Sequence, residues 1–119
     1  MKVCVIIPVF NEQDFIKKSV ESLIDQTIKP TEVIYVNDNS TDNSKNIIKN
    51  LIGKYEWIRV IDHKSFQEHV PGSKVIEAFN FGLKNLETQF DIICKFDGDI
   101  ILPRSEEHTS NSSHANISY

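Results

Sequence analysis

Short apolar runs alternate along the chain with segments whose apolar positions recur at helical spacing. The runs rich in β-branched residues predict four strands: VCVIIPVF (3–10), EVIYVN (32–37), WIRVID (57–62) and FDIICKF (90–96). Apolar residues at helical spacing predict three helices, marked by Phe15, Ile16, Val20, Leu23 and Ile24, by Ile47, Ile48, Leu51 and Ile52, and by Val75, Phe79, Leu83 and Leu86. The residues of the third set are expected to lie in the core. This alternation predicts an α/β fold with a mostly parallel sheet sandwiched by helices.

The ends of two predicted helices carry recognisable signals. Asn11 is a good N-cap for a first helix from Glu12 to about Gln26, and Asp14 suits the positive end of its dipole. Gly53 is expected to end the second helix.

Size and charge restrict the function classes. A chain of 119 residues holds one domain at most. Its net charge of −4 indicates neither a nucleic-acid partner nor an anionic membrane, and a phosphorylated ligand would need a metal ion beside it. Cys4 and Cys94 form no CxxC spacing, so they are predicted to be reduced core residues.

The apolar runs are too short for targeting or spanning segments. Val3–Pro8 resembles a first strand rather than a signal peptide, because an acidic helix follows it and no small-residue cleavage site appears. No run in the visible part approaches the roughly 18 apolar residues of a membrane span. The expected location is cytoplasmic.

In parallel sheets covered by helices, ligands bind beyond the carboxyl ends of the strands. This rule selects four segments: Pro8–Glu12, Asn37–Asp42, Asp62–Lys74 and Asp97–Asp99. The polar residues of the chain gather in the same segments, which places the predicted site there.

The first segment, PVFNE, contains no glycine. Dinucleotide-binding folds and P-loop proteins need a glycine-rich loop at this point, so dehydrogenases and P-loop NTPases are excluded. Phe10 has the side chain to stack on a base, and Glu12 to accept hydrogen bonds. The alternative is that Phe10 is core and Asn11 only a helix cap.

The second segment, VNDNSTD, places Asn37, Asp38 and Asn39 directly after a strand. A carboxylate there can accept the N–H of uracil or guanine. A calcium loop is not indicated, because its glycine and closing glutamate are missing. The alternative is an ordinary turn in which Ser40 or Asp42 caps the next helix, and the two roles are compatible.

The fourth segment, FDGDI, places Asp97 and Asp99 on either side of Gly98. Two carboxylates at this spacing can face one divalent ion, and glycine leaves the turn uncrowded. Mg²⁺ and Mn²⁺ prefer such oxygen ligands and complete their shell with water and substrate phosphates. The segment therefore predicts a Mn²⁺ or Mg²⁺ site.

VIIPVFNE, VNDNSTDNS, GSKVIEAFNFGL and KFDGDIILP, in this order, resemble the N-terminal nucleotide-binding half of a family 2 glycosyltransferase with the GT-A fold. The resemblance covers residues 2–103 and implies a truncated, Rossmann-like half of that fold. It implies a partial nucleotide-sugar-binding domain at 1–103, with a UDP-sugar the expected donor and an acceptor, glycan or lipid, that no motif specifies.

The resemblance also implies roles for single residues. Pro8, Phe10 and Glu12 would border the nucleoside, with Phe10 stacked on the base. Asp38 would contact the base, and Asn37 would assist without the charge that the family's usual aspartate carries. The remaining matches are Lys74 and Asp97 near nucleotide and phosphate, Asp97 and Asp99 as the metal-binding DXD, and the A-x-N-x-G stretch of Ala78, Asn80 and Gly82.

Other candidates are weaker. His63 and His69 lie in the third segment, where they would contact phosphate or acceptor or serve only as surface residues. From Arg104 onward no apolar periodicity predicts a strand or helix. The resemblance implies an acidic catalytic base in a further region beyond Pro103. Glu106 and Glu107 are poor candidates for this base. RSEEHTS resembles a translated sequencing adapter, so 104–119 is expected to be a non-native, disordered tail, and its sequons at Asn111 and Asn116 carry no meaning.

Two function classes remain open. The parent protein is expected to be an enzyme that transfers a sugar from a nucleotide-diphosphate donor to an acceptor hydroxyl, with inversion. Alternatively, this chain is a catalytically inactive fragment that binds nucleotide and metal. A nucleotidyltransferase is a third reading, but it would carry a glycine-rich basic loop after the first strand.

Overall fold

The computed structural model describes residues 1–64, 73–103 and, for the backbone alone, 115–118. Its strands and helices, in chain order, are β1 (Val3–Val9), α1 (Ile16–Ile24), β2 (Glu32–Asp38), α2 (Ser44–Ile52), β3 (Ile58–His63), α3 (Ser73–Lys84), β4 (Ile92–Phe96) and β5 (Ala115–Ser118). None of the described helices is long and apolar enough to cross a membrane. The order of the first seven elements is the predicted alternation.

The sheet has the strand order β3-β2-β1-β4-β5. The pairs β1–β2, β2–β3 and β1–β4 are parallel. In the register, Val9 lies opposite Asn37, and Asp38 lies opposite His63. The carboxyl ends of β1, β2 and β3 therefore finish side by side at one edge of the sheet, as the strand-end rule requires.

Alternate residues of each strand enter two separate cores. The face that packs on α1 and α2 includes Val5, Ile7, Val9, Val33, Tyr35 and Cys94. The opposite face, which packs on α3, includes Cys4, Ile6, Ile34, Val36 and Ile93. Helices cover both faces of a mainly parallel sheet, so the predicted α/β class is confirmed.

Small residues let α3 lie close to the sheet. Ala78 is fully buried, and Gly82 follows it one turn later. A Cβ at Gly82 would lie 2.7 Å from Cγ2 of Ile6 and 2.9 Å from Cγ2 of Val36, closer than atoms can pack. The matched A-x-N-x-G stretch thus supplies the contact between α3 and the sheet, while Asn80 is exposed.

Both cysteines are buried and free, as predicted. Burial raises the pKa of the Cys4 thiol and of the Cys94 thiol, which keeps the unreactive protonated form at neutral pH.

Three local predictions are wrong. The first helix begins at Ile16 rather than Glu12, so Asn11 is not its N-cap and Asp14 lies outside its first turn. Asn11 instead adopts a φ of 50° and uses its side chain to bridge to another loop. Val75 is 41% exposed rather than core, because its turn of α3 extends beyond the strand ends to the candidate site.

The third error concerns the tail, where no strand was expected. The backbone of Ala115–Ser118 pairs antiparallel with β4, with Cys94 opposite Ile117. The physical reason is the edge of β4, whose peptide groups would otherwise lack strand partners on that side and accept an added strand.

Candidate functional site

A cleft of about 490 Å³ opens where β1, β2 and β4 end beside the start of α3. It is lined by Pro8, Val9, Phe10, Glu12, Asp38, Asn39, Lys74, Val75, Ala78, Asp97, Gly98 and Asp99. Every nucleotide-binding and metal-binding residue proposed from the sequence lines this one cleft, with the exception of Asn37. Residues from four separate segments of the chain therefore converge at the predicted edge.

One part of the cleft is apolar and accessible. Phe10 follows β1 and is 57% exposed, so it is not a core residue. Val75, from the first turn of α3, lines the same cleft. Exposed apolar side chains in a concave site are suited to a flat, weakly polar ligand such as a base.

Another part of the cleft is acidic. Burial raises the pKa of the Glu12 carboxyl. The carboxylates of Asp99, Asp42 and Asp97, in decreasing order of effect, raise it further. Lys95, on β4, places its Nζ 3.3 Å from Oδ1 of Asp97 and offsets part of this charge. The concentration of negative charge favours a bound cation.

Gly98 brings the acidic turn close to β1. A Cβ at this position would lie 3.1 Å from Cγ of Glu12 and 3.5 Å from the carbonyl oxygen of Pro8. A side chain here would be in tight contact with Glu12, whose Cγ would have to shift by a few tenths of an ångström. Glycine therefore suits the close approach of the turn to the end of β1.

The oxygen donors of the acidic turn fit a small, hard divalent cation. Asp97 and Asp99 offer carboxylates, the ligand type that Mg²⁺ and Mn²⁺ select. Among the residues that the structure describes, no three His, Cys, Asp or Glu side chains are grouped to hold a metal by themselves. Two protein carboxylates suit an ion that completes its shell with water and substrate phosphate rather than one held in a protein cage.

Asp38 ends β2 on the side of the sheet that faces α3. Its side chain is largely buried, and its Oδ1 lies 3.7 Å from Nδ1 of His63. The His63 ring packs against Phe81, with 4.5 Å between the ring centroids. His63 is thus the last residue of β3 and a half-buried neighbour of Asp38, rather than a surface residue of a loop.

Asn37 lies outside the cleft. It is only 7% exposed, and its Nδ2 donates a hydrogen bond to Oδ1 of Asp62 at 3.0 Å. Lys45 pairs with the other carboxylate oxygen of Asp62, and both partners lower the pKa of that group. Asn37 lines a second, shallower concavity with Asn39, Ser40, Asp62, His63 and Lys64.

The sequence reasoning missed several polar residues that join the loops of the cleft. Hydrogen bonds join the loop after β1 to the loop after β2 and the first residue of α2, and they involve the side chains of Asn11, Ser40, Asp42 and Ser44. Oδ1 of Asp42 also accepts from the N–H and the hydroxyl of Ser44, the first residue of α2. The available signal was the concentration of Ser, Thr, Asn and Asp in both loops, which sequence alone assigns to local capping.

Some candidates lie outside the described residues. These are His69, Glu106, Glu107 and Asn111. Asn116 belongs to β5, of which only the backbone is described.

A family model described as "Glycosyl transferase family 2" matches residues 4–106. The chain belongs to this family. Glycosyltransferase GlyA of Streptococcus pneumoniae is 33% identical over 89 residues, which are 75% of this chain and 12% of GlyA. The family assignment agrees with the resemblance of the four motifs.

Solved structures of glycosyltransferases share the fold. S. aureus TarS 1-349 in complex with UDP has a TM-score of 0.65 and 28% identity, over 83% of this chain and 28% of TarS 1-349. Mannosyltransferase PcManGT from Pyrobaculum calidifontis, in complex with GDP-Man and Mn²⁺, has a TM-score of 0.65 and 21% identity, over 86% of this chain and 28% of that one. This family 2 chain therefore spans less than a third of the length of each of these proteins.

Proposed function

We propose that this family 2 chain binds a nucleoside diphosphate sugar with a divalent cation, and that the parent protein transfers the sugar to an acceptor hydroxyl. The observation that carries the proposal is the convergence of Phe10, Asp38, Asp97 and Asp99 on one cleft. These side chains come from three strand ends that are distant in sequence. An aromatic ring, a base-reading carboxylate and a pair of metal-binding carboxylates make up a site for a nucleotide diphosphate.

Each part of the cleft has a role toward the donor. Phe10 stacks on the base, because its ring is exposed and every base presents a flat face. Asp38 accepts the N–H of a uracil or guanine ring, and Pro8 and Glu12 border the nucleoside. Lys74, at the start of α3, lies on the same cleft, where a cation favours a phosphate.

Asp97 and Asp99 would hold Mn²⁺ or Mg²⁺. When bound, this ion supplies positive charge that stabilises the diphosphate as it leaves the sugar. Lys95 orients Asp97 through their ion pair. Gly98 lets the turn that carries both aspartates approach Glu12 and the end of β1.

The names of similar proteins support the donor and cation. TarS 1-349 is described in complex with UDP, and PcManGT in complex with GDP-Man and Mn²⁺. UDP is therefore the first nucleotide to test, with Mn²⁺ as the cation.

The second candidate is binding without transfer by this chain alone. An inverting transfer needs a general base that takes the proton of the acceptor hydroxyl. The carboxylates of the described cleft are assigned to the donor and the cation, and the base is expected beyond Pro103. The transfer reaction accordingly belongs to the parent protein.

The test is a calorimetric titration of UDP into the chain with and without Mn²⁺. We expect Mn²⁺ to tighten UDP binding by about tenfold or more, in the range of ordinary coupling between two ligands. Asp99→Asn removes one charged cation ligand and should abolish most of the tightening. UDP binding without Mn²⁺ should change little in this variant.

Asp25→Asn is the matched control, because Asp25 is an exposed carboxylate at the end of α1 and does not line the cleft. It should leave the effect of Mn²⁺ unchanged. Equal UDP affinity with and without Mn²⁺ in the unmodified chain would reject the metal assignment. Absence of UDP binding under either condition would reject the proposed function.

A further inference from the structure

Three consecutive N–H groups after β1 donate to side chains of residues 40–44, which form the loop after β2 and the first residue of α2. The N–H of Asn11 donates to Ser40 Oγ at 3.0 Å. The N–H of Glu12 donates to Ser44 Oγ at 2.8 Å, and that of Gln13 to Asp42 Oδ2 at 3.2 Å. Peptide groups outside helices and strands thus find partners about thirty positions away in the chain.

Hydrogen bonds also run in the opposite direction. Oδ1 of Asn11 accepts from the N–H of Thr41 at 2.8 Å and from that of Asp42 at 3.3 Å. Oε1 of Gln13 accepts from the N–H of Asn43 at 3.2 Å. We call this reciprocal set, between residues 11–13 and residues 40–44, the loop clamp.

Ser44 is the buried centre of the loop clamp. It is the first residue of α2 and has 0% exposure. Its hydroxyl donates to Oδ1 of Asp42 at 2.6 Å, which leaves its lone pairs to accept the N–H of Glu12. The chain of donors therefore runs from Glu12 through Ser44 to Asp42, and each polar group has a partner.

The loop clamp lies directly beside two residues of the cleft. Phe10 precedes it and Glu12 belongs to it, and both line the cleft. Because Phe10 is mostly exposed, burial in the core does not fix its place. Its position depends on the backbone of the next residues, which the loop clamp holds.

We propose that Ser44, Asp42 and Asn11 are positioning residues, which hold Phe10 and Glu12 in place for the nucleotide. This inference rests on the proposed function. The polar residues of the segment NSTDNS (39–44) then support the loop after β1, and not only the start of α2. Preorganised contacts bind more tightly because less conformational freedom is lost on binding.

Two variants test the inference in the full 119-residue chain. Ser44→Ala removes the acceptor of the Glu12 N–H. Asn11→Gly removes the acceptor of two N–H groups but tolerates the φ of 50°. Each should weaken UDP binding in the presence of Mn²⁺ by about 5- to 10-fold, the equivalent of one hydrogen bond.

Three further measurements separate positioning from general destabilisation. Hydrogen exchange of the Glu12 amide in the nucleotide-free chain should be slow, and Ser44→Ala should accelerate it. Asn11→Asp keeps an acceptor at a residue type that tolerates positive φ, so it should restore much of the affinity. Ser19→Ala, at a buried serine of α1 outside the cleft, should leave UDP affinity unchanged.

The outcomes are distinguishable. Weaker binding with faster exchange at Glu12 supports the inference. Unchanged UDP affinity in both Ser44→Ala and Asn11→Gly, or weaker binding without faster exchange, overturns it and leaves the proposed function standing. Absence of UDP binding to the unmodified chain overturns the proposed function and the inference with it.

Discussion

Neighbouring residues at the end of β2 serve opposite sides of the sheet. Asp38 continues the face of Ile34 and Val36, which packs on α3, and it lines the cleft. Asn37 continues the face of Val33 and Tyr35 and donates to Asp62. Because side chains alternate along a strand, one position decides whether a polar residue at a strand end meets the cleft.

Asn37 therefore has a structural role, and substitutions at Asn37 and Asp62 test the hydrogen bond between them. Asn37→Asp replaces the donor of a 3.0 Å hydrogen bond with a second carboxylate. We expect the free energy of unfolding at neutral pH to fall by about 1–3 kcal/mol, because a hydrogen bond is lost and like charges meet. Urea denaturation followed by circular dichroism measures this change.

The double variant Asn37→Asp with Asp62→Asn is the control, since it rebuilds the hydrogen bond with donor and acceptor exchanged. It should recover part of the lost stability, although the pairing of Lys45 with residue 62 is weakened. If the double variant loses as much free energy of unfolding as the two single variants together, or more, the result would argue against this contact.

At the scale of elements, a buried carboxylate joins the far end of β2 to the loop between α3 and β4. Glu32 accepts hydrogen bonds from the N–H groups of Glu87 and Thr88, at 2.9–3.2 Å, and from Nη2 of Arg59 at 3.1 Å. Burial alone would raise the pKa of Glu32, but these hydrogen bonds outweigh it and lower the pKa. The loop is thus held by the charged form.

This shift predicts how stability depends on pH. A carboxyl whose pKa is lowered by folding stabilises the fold above its unfolded value of about 4.3, and the contribution disappears as the pH falls through the folded value. Glu32→Gln should lower the free energy of unfolding by about 1–3 kcal/mol at pH 7. Urea denaturation of both proteins from pH 7 to pH 3 should show this difference shrinking in acid.

Other carboxylates titrate over the same range, so the comparison is between the two proteins and not between pH values of one. A difference that stays constant from pH 7 to pH 3 would show that the charge of Glu32 does not hold the loop.

For the whole molecule, alternating periodicities were sufficient to predict the order of seven elements and the edge where polar residues meet. They succeed because strand burial and helix spacing are local properties. The role of Asn11 was not predictable in this way, since its partners lie about thirty residues away. Cap preferences favour the same residue types as bridges between loops.

The exposure of Val75 and the pairing of Ala115–Ser118 escaped the sequence for related reasons. The stripe from Val75 to Leu86 is apolar throughout, but only the position of α3 over the sheet shows which end extends past the strands. β5 has four residues and pairs with an available edge. Both depend on tertiary placement, which periodicity does not encode.

The most direct test of the central claim is to locate a bound cation by nuclear magnetic resonance, with Mn²⁺ below the protein concentration and UDP present. The paramagnetic ion should broaden the amide signals of Glu12, Gly98 and Asp99, and those of Glu87 and Thr88 at the opposite end should stay sharp. UDP should strengthen the broadening, since nucleotide and cation share one cleft. Broadening that centres on other carboxylates, or that UDP leaves unchanged, would contradict the account.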